Sequence, residues 1–132
     1  MNKIEIITIR RAKNKDRKAI KKLIAMFPGF LMKQIPDIKS FFVAEENGKI
    51  IGCCALDIYS KKIAEVRSLA VLNKYRNKGV ATELVNRCRE RAEQRGVYEV
   101  LAITSKEKLF KRLGFGSFHK EKLALLKVLK ED

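Results

Sequence analysis

Acidic side chains are scarce in this chain: 15 Asp and Glu stand against 30 Lys and Arg, a formal net charge of +15 over 132 residues. Such a field attracts polyanions, whether nucleic acid, an anionic membrane or a phosphorylated small molecule. The cations form no single block. They recur from "RRAKNKDRK" to "KEKLALLKVLK", so the whole surface is basic rather than one tail. Histidine occurs once, at His119. Cysteine occurs three times, Cys53 and Cys54 adjacent and Cys88 alone, with no CxxC pair and no metal-ligand spacing. No metal is expected. The cysteines read as small buried apolar side chains, and a cysteine nucleophile would lack a histidine partner. No apolar run approaches the ~20 residues that cross a bilayer. The start, "MNKIEIITIRR", lacks the apolar core and cleavage site of a signal peptide. We therefore expect a cytoplasmic protein with no membrane partner. Repeats, low-complexity tracts and linkers are also missing, so residues 1–132 read as one domain.

What is present is a regular alternation of patterns, with 46% hydrophobic residues to build a core. "IEIITIRRA" predicts a strand over Ile4–Arg11. "NKDRKAIKKLIAMF" puts Ala19, Ile20, Leu23, Ile24 and Phe27 on one helical face, with Asn14 or Asp16 near the cap. "PGFLMKQIP" ends that helix, and a short helix is expected around Asp37–Ser40. "FFVAEENGKIIGCCALDIY" is a hairpin about Asn47-Gly48, with its second strand over Lys49–Tyr59. "IAEVRSLAVL" is a fourth strand whose end is apolar throughout, as in a strand buried on both faces. Val80, Ala81, Leu84, Val85, Cys88 and Ala92 then recur at helical spacing up to Gly96. "VYEVLAI" is a further strand, so strand, helix and strand form a parallel crossover. "SKEKLFKRLGF" is a short helix ending at Gly114. "GSFHKEKLALLKVL" reads as a last hairpin, with a helix over Leu123–Leu129 as the alternative. The fold class is α/β: a mixed sheet of about six to seven strands, antiparallel in its N-terminal half, with helices on both faces.

One turn carries chemistry. "RNKGVATEL", Arg76 to Leu84, joins the apolar strand to the long helix. The first four N–H groups of a helix have no internal partner, and the helix dipole places partial positive charge there, so a phosphate is a natural occupant. Gly79 lets a ligand approach the backbone, Ala81 keeps the next turn small, and Arg76 and Lys78 add cationic donors. The dinucleotide fingerprint GxGxxG and the Walker pattern GxxxxGK[ST] are both absent. On these residues alone, a phosphate cradle and a plain basic loop both remain open.

The order Arg76-x-x-Gly79-x-Ala81, after "EVRSLAV" and before an amphipathic helix, resembles motif A of the GNAT superfamily of acyl-CoA N-acyltransferases, (Gln/Arg)-x-x-Gly-x-(Gly/Ala). The resemblance covers nearly the whole chain. "FFVAEENGKIIGCCAL" matches the preceding hairpin and "LFKRLGF" the later helix with its Gly-Phe pair. From Phe41 to Phe115 the chain is most similar to the acetyltransferase domains of N-acetylglutamate synthase type. The resemblance implies that amides of Arg76, Asn77, Lys78, Gly79, Val80, Ala81 and Thr82 hold the pyrophosphate of acetyl-CoA. It implies that Leu69, Ala70 and Val71 offer backbone groups to the pantetheine arm and thioester. Such enzymes transfer the acetyl group directly to an amine, with no covalent enzyme intermediate.

In histone-acetylating members a glutamate at the place of Glu65 is the general base; pairing with Arg67, or an ordered water in its stead, is the competing reading. Many members carry a tyrosine acid four residues before the Gly of the Gly-Phe pair. Here that position is Phe110, which can line the pantetheine channel but donates no proton. Arg67 is a candidate to bind an acidic acceptor. The implied reaction is N-acetylation of a primary amine on a small molecule such as an amino acid. A protein N-terminus or lysine is a second acceptor class, a non-catalytic CoA-sensing domain a third reading, and a basic nucleic-acid module a fourth. The last is weakened because Tyr59, Tyr75 and Tyr98 are scattered rather than interleaved with cations. Monomer and homodimer both remain open.

Overall fold

The computed structural model describes residues 6–27 and 35–116, together with 125, 127 and 129. Five strands form one sheet in the order β1-β2-β3-β4-β5: Ile7–Arg11, Phe41–Glu46, Lys49–Ile58, Ile63–Val71 and Glu99–Ala102. The first four pair antiparallel and β5 pairs parallel with β4, across α2, Val80–Gln94. This is the expected mixed sheet. The expected last hairpin lies almost wholly outside the described residues, and so does the "PGFLMKQ" break.

The hairpin forms where the Asn-Gly pair demands it. Asn47 and Gly48 both have positive φ, 51° and 78°, the backbone twist that a two-residue turn between β2 and β3 needs. The first helix, α1, spans Arg17–Ala25 and buries Ile20, Leu23 and Ile24, while Phe27 lies past its end. Asp16 stands at its N-cap position but does not cap it with its side chain. Its carboxylate instead accepts from the Lys13 N–H at 2.7 Å and from the Arg10 guanidinium at 2.9 and 3.0 Å. The expected short helix is a 3-10 turn over Ile38–Ser40, capped by Asp37 accepting from the Lys39 N–H.

Two apolar layers sandwich the sheet. On one face α2 packs Leu84, Val85, Cys88 and Ala92 against Phe42, Cys54, Leu56, Ala64 and Val66. On the other, α1 and Ile38 pack against Phe41, Val43, Cys53, Ala55 and Ala70. The short α3, Glu107–Arg112, adds the buried Phe110 to the first layer.

Candidate active site

The site begins with a fault in strand pairing. Gly52 faces Val71 and Cys53 faces Ala70, but Ala55 faces Arg67, so Ser68 and Leu69 together oppose Cys54. This is a β-bulge on β4, and Ser68 takes the left-handed φ of 56° that a bulge permits. The bulge reverses the alternation of β4. Ala64 and Val66 face α2 before it; Leu69 and Val71 face α2 after it, and Ala70 faces α1. Two buried thiols satisfy the carbonyls at the fault, Cys53 donating to Ser68 O at 3.5 Å and Cys54 to Arg67 O at 3.7 Å. Burial pushes the Cys53 thiol up to about 12. That fits the buried apolar role expected of it and argues against a thiolate.

Pairing between β4 and β5 ends at Val66 and Ala102. Beyond that point the strands part and open a cleft of about 1380 Å³. Residues 68–71 of β4 form one wall, residues 103–110 the other, and the turn into α2 closes one end. At that end a 3-10 turn, Asn73–Tyr75, leads to Arg76 in extended conformation, then to Asn77 and Gly79 at φ 62° and 79°. Gly79 is the N-cap of α2, no side chain caps the helix, and the first helical bond runs from Glu83 N–H to Gly79 O at 3.0 Å. The amides of the first turn are thus left for a ligand. A Cβ at Gly79 would meet nothing within 4 Å, so glycine stands here for its left-handed φ rather than for tight packing.

Arg76, Asn77, Gly79, Val80, Ala81 and Thr82 line the cleft, as do Leu69, Ala70, Val71 and Phe110. Lys78 is not among the lining residues. Its ammonium lies 5.5 Å from the centre of the Tyr75 ring. Tyr75 is buried, lines the cleft and donates its hydroxyl to Glu46 Oε1 at 2.7 Å. The Arg76 guanidinium sits 6.0 Å from the Phe27 ring. Phe110 packs edge-on against Phe115, centroids 5.1 Å apart, and presents only carbon to the cleft.

Glu65 and Arg67 lie on β4 ahead of the bulge and do not line the cleft. Glu65 is buried at 8% exposure and stands opposite Asp57 in the register. It accepts a hydrogen bond from the Tyr59 hydroxyl at 2.5 Å. Desolvation of its hydroxyl, with the bond to Glu65 second, pushes the Tyr59 phenol up to about 12, although the residue as a whole is 56% exposed. Arg67 is ion-paired with Asp57 at 2.7 Å. Sequence reading missed Ser68, Tyr59 and Asp57. The available signal for the last two was the β3–β4 hairpin, which sets residues 57, 65 and 67 on adjacent strands with Tyr59 just past the end of β3. Among the described residues, no group of His, Cys, Asp or Glu could hold a metal ion.

Known proteins place this geometry. The model of the acetyltransferase (GNAT) family matches residues 9–115. An uncharacterized N-acetyltransferase of Chlorobaculum tepidum is 38% identical over 120 residues, covering 86% of this chain and 77% of that protein. The amino-acid acetyltransferase of Mycobacterium tuberculosis is 28% identical over 116 residues, covering 81% and 67%. A crystal structure from M. tuberculosis, in complex with CoA and NLQ, superposes with a TM-score of 0.80 at 28% identity over 84% of this chain and 72% of that one. Longer relatives are covered only in part, 21% in the case of an amino-acid acetyltransferase of Pseudomonas putida. The chain belongs to the acetyltransferase (GNAT) family and is an N-acetyltransferase of that type.

Proposed function

We propose that the chain transfers the acetyl group of acetyl-CoA to the amine of a small molecule of the amino-acid class. The observation that carries the reading is the parting of β4 and β5 after Val66 and Ala102, which opens a cleft ending on the uncapped start of α2. The amino-acid class is supported by the amino-acid acetyltransferase of M. tuberculosis among the relatives.

In this reading the amides at Gly79, Val80, Ala81 and Thr82 hold the pyrophosphate, helped by Arg76, and the turn through Asn77 and Lys78 shapes the cradle. Backbone groups of Leu69, Ala70 and Val71 align the pantetheine arm, and Phe110 packs against it. The amine nitrogen attacks the thioester carbonyl carbon. A C–N bond forms, the C–S bond breaks, and CoA departs with the electron pair as thiolate. Glu65 lies outside the cleft lining and takes the proton released by the ammonium through water. No side-chain acid stands at Phe110, so the thiolate takes its proton from water. Arg67 reads the acceptor carboxylate in competition with Asp57, so Asp57→Asn should lower the KM for an acidic acceptor.

Calorimetric titration with acetyl-CoA tests the donor site, with Gly79→Glu as the abolished control. Thiol release against a panel of amino acids tests the acceptor. Saturable binding without turnover on any amine would replace the enzyme reading by a CoA-sensing one.

A further inference from the structure

Away from the cleft, α2 carries a second concentration of positive charge. Arg11 of β1 and Arg87 and Arg91 of α2 line a hollow of about 200 Å³, with Phe42 as its apolar lining and Glu90 and Gln94 completing it. It shares no lining residue with the acetyl-CoA cleft.

Two of the three guanidiniums are held in place by backbone. Arg11 Nη2 donates to the Lys39 carbonyl at 2.6 Å, and its guanidinium lies 5.6 Å from the centre of the Phe42 ring. Arg87 Nη2 donates to the Ile9 carbonyl at 2.9 Å, tying α2 to the edge strand. Arg91 is half-buried and, among the described residues, has neither a hydrogen-bond acceptor nor an ion-pair partner. Desolvation first, and then the like charges of Arg11 and Arg95, disfavour its protonated form. Glu90 reaches the hollow yet makes no ion pair with these arginines, and the salt bridge on this part of α2 joins Arg89 to Glu93 instead.

A folded chain does not gather three cations around a hollow without cost unless an anion relieves the repulsion. Planar guanidiniums already fixed by carbonyls present their remaining N–H groups at little further entropic cost, in the fork geometry that suits tetrahedral oxyanions. We propose that Arg11, Arg87 and Arg91 form a second anion site, which takes the phosphoryl group of a small phosphorylated ligand. The hollow is the size of one such group rather than of a nucleotide chain. The aromatic ring lining it is 5% exposed and leaves no open platform for base stacking.

The test uses the whole chain saturated with CoA, so that the cleft is occupied, and titrates inorganic phosphate at constant ionic strength against chloride. Saturable binding is expected, weakened at least fivefold in Arg91→Gln and in Arg11→Gln, with CoA affinity unchanged. Arg91→Gln should also raise the melting temperature in chloride, because it relieves repulsion; a packing role alone would lower it. Glu90→Gln should tighten phosphate. Phosphate binding that is absent from the wild type, or equal in wild type and Arg91→Gln, overturns the proposal. So does a short single-stranded oligonucleotide that binds through Arg91 where phosphate does not.

Discussion

The Tyr75 hydroxyl donates to Glu46 Oε1 across 29 residues of sequence, and the other carboxylate oxygen of Glu46 is buried with no hydrogen-bond partner among the described residues. The contact ties the end of β2 to the turn that precedes the α2 N-terminus. Tyr75→Phe removes the hydroxyl and leaves Glu46 with two unsatisfied oxygens in a nearly dry setting. A loss of about 1–3 kcal/mol in urea unfolding is expected. Because Tyr75 also lines the cleft, the KM for acetyl-CoA should rise while the KM for the amine stays put.

Gly79 is held at φ 79°. Gly79→Ala places a side chain in open space, so its cost is backbone strain alone, about 1–2 kcal/mol in denaturant unfolding. Loss of CoA affinity in calorimetry should be modest for alanine and complete for glutamate, because only the latter puts negative charge among the free amides. Equal losses for the two would mean that the conformation of the turn, not its charge, decides binding.

Tyr59 should be a late-titrating tyrosine. Its folded pKa, about 12, lies above the ordinary value of 10. The stability it contributes is therefore fully present below pH 10 and is lost as pH rises through 12. Difference absorbance of wild type minus Tyr59→Phe should show one phenolate forming near pH 12. In Glu65→Gln that step should move down, though not all the way, since desolvation is the larger cause. A step unmoved by Glu65→Gln would break the link between the two residues.

Asp16 should govern stability in acid. The Arg10 hydrogen bonds hold its carboxyl below the usual range, against burial, with the Lys13 amide adding to the effect. A depressed folded pKa means that the stability is present above the ordinary value near 3.8 and is lost as pH falls through the folded one. Asp16→Asn should cost about 2 kcal/mol at pH 7. The deficit should shrink toward zero in urea titrations run at successively lower pH below 4.

The parts of the fold legible in the sequence are those set by local rules. Asn47-Gly48 announces its hairpin because few other residues accept two successive positive φ values. The α2 pattern from Val80 to Ala92 announces itself because its apolar face is regular and long. Asp16 reads as lying near the cap of α1 and does stand at its N-cap position, yet its oxygens are claimed by Arg10, six residues earlier on β1. The cleft end of the site was legible as Arg76-x-x-Gly79-x-Ala81, since a turn into a helix is local. The bulge at Ser68 was not, because it exists only in the pairing of β4 with β3 and no residue type demands it. For the same reason the Tyr59–Glu65 and Asp57–Arg67 pairs were hidden, being properties of register. Lys78 reads as a cationic donor by sequence neighbourhood, and its ammonium lies 5.5 Å from the centre of the Tyr75 ring, outside the lining of the cleft.

The extra residue in β4 has a further consequence. It works as a half-step in phase: everything upstream of Ser68 and everything downstream keeps opposite parity about one strand. The same residues paired without the bulge would keep composition, charge and every motif intact, yet send Ala70 to the α2 layer and Val71 to the α1 layer. The strand would then enter the turn into α2 half a revolution out. The pairing of β4 is thus as much a part of the candidate site as the residues that line it.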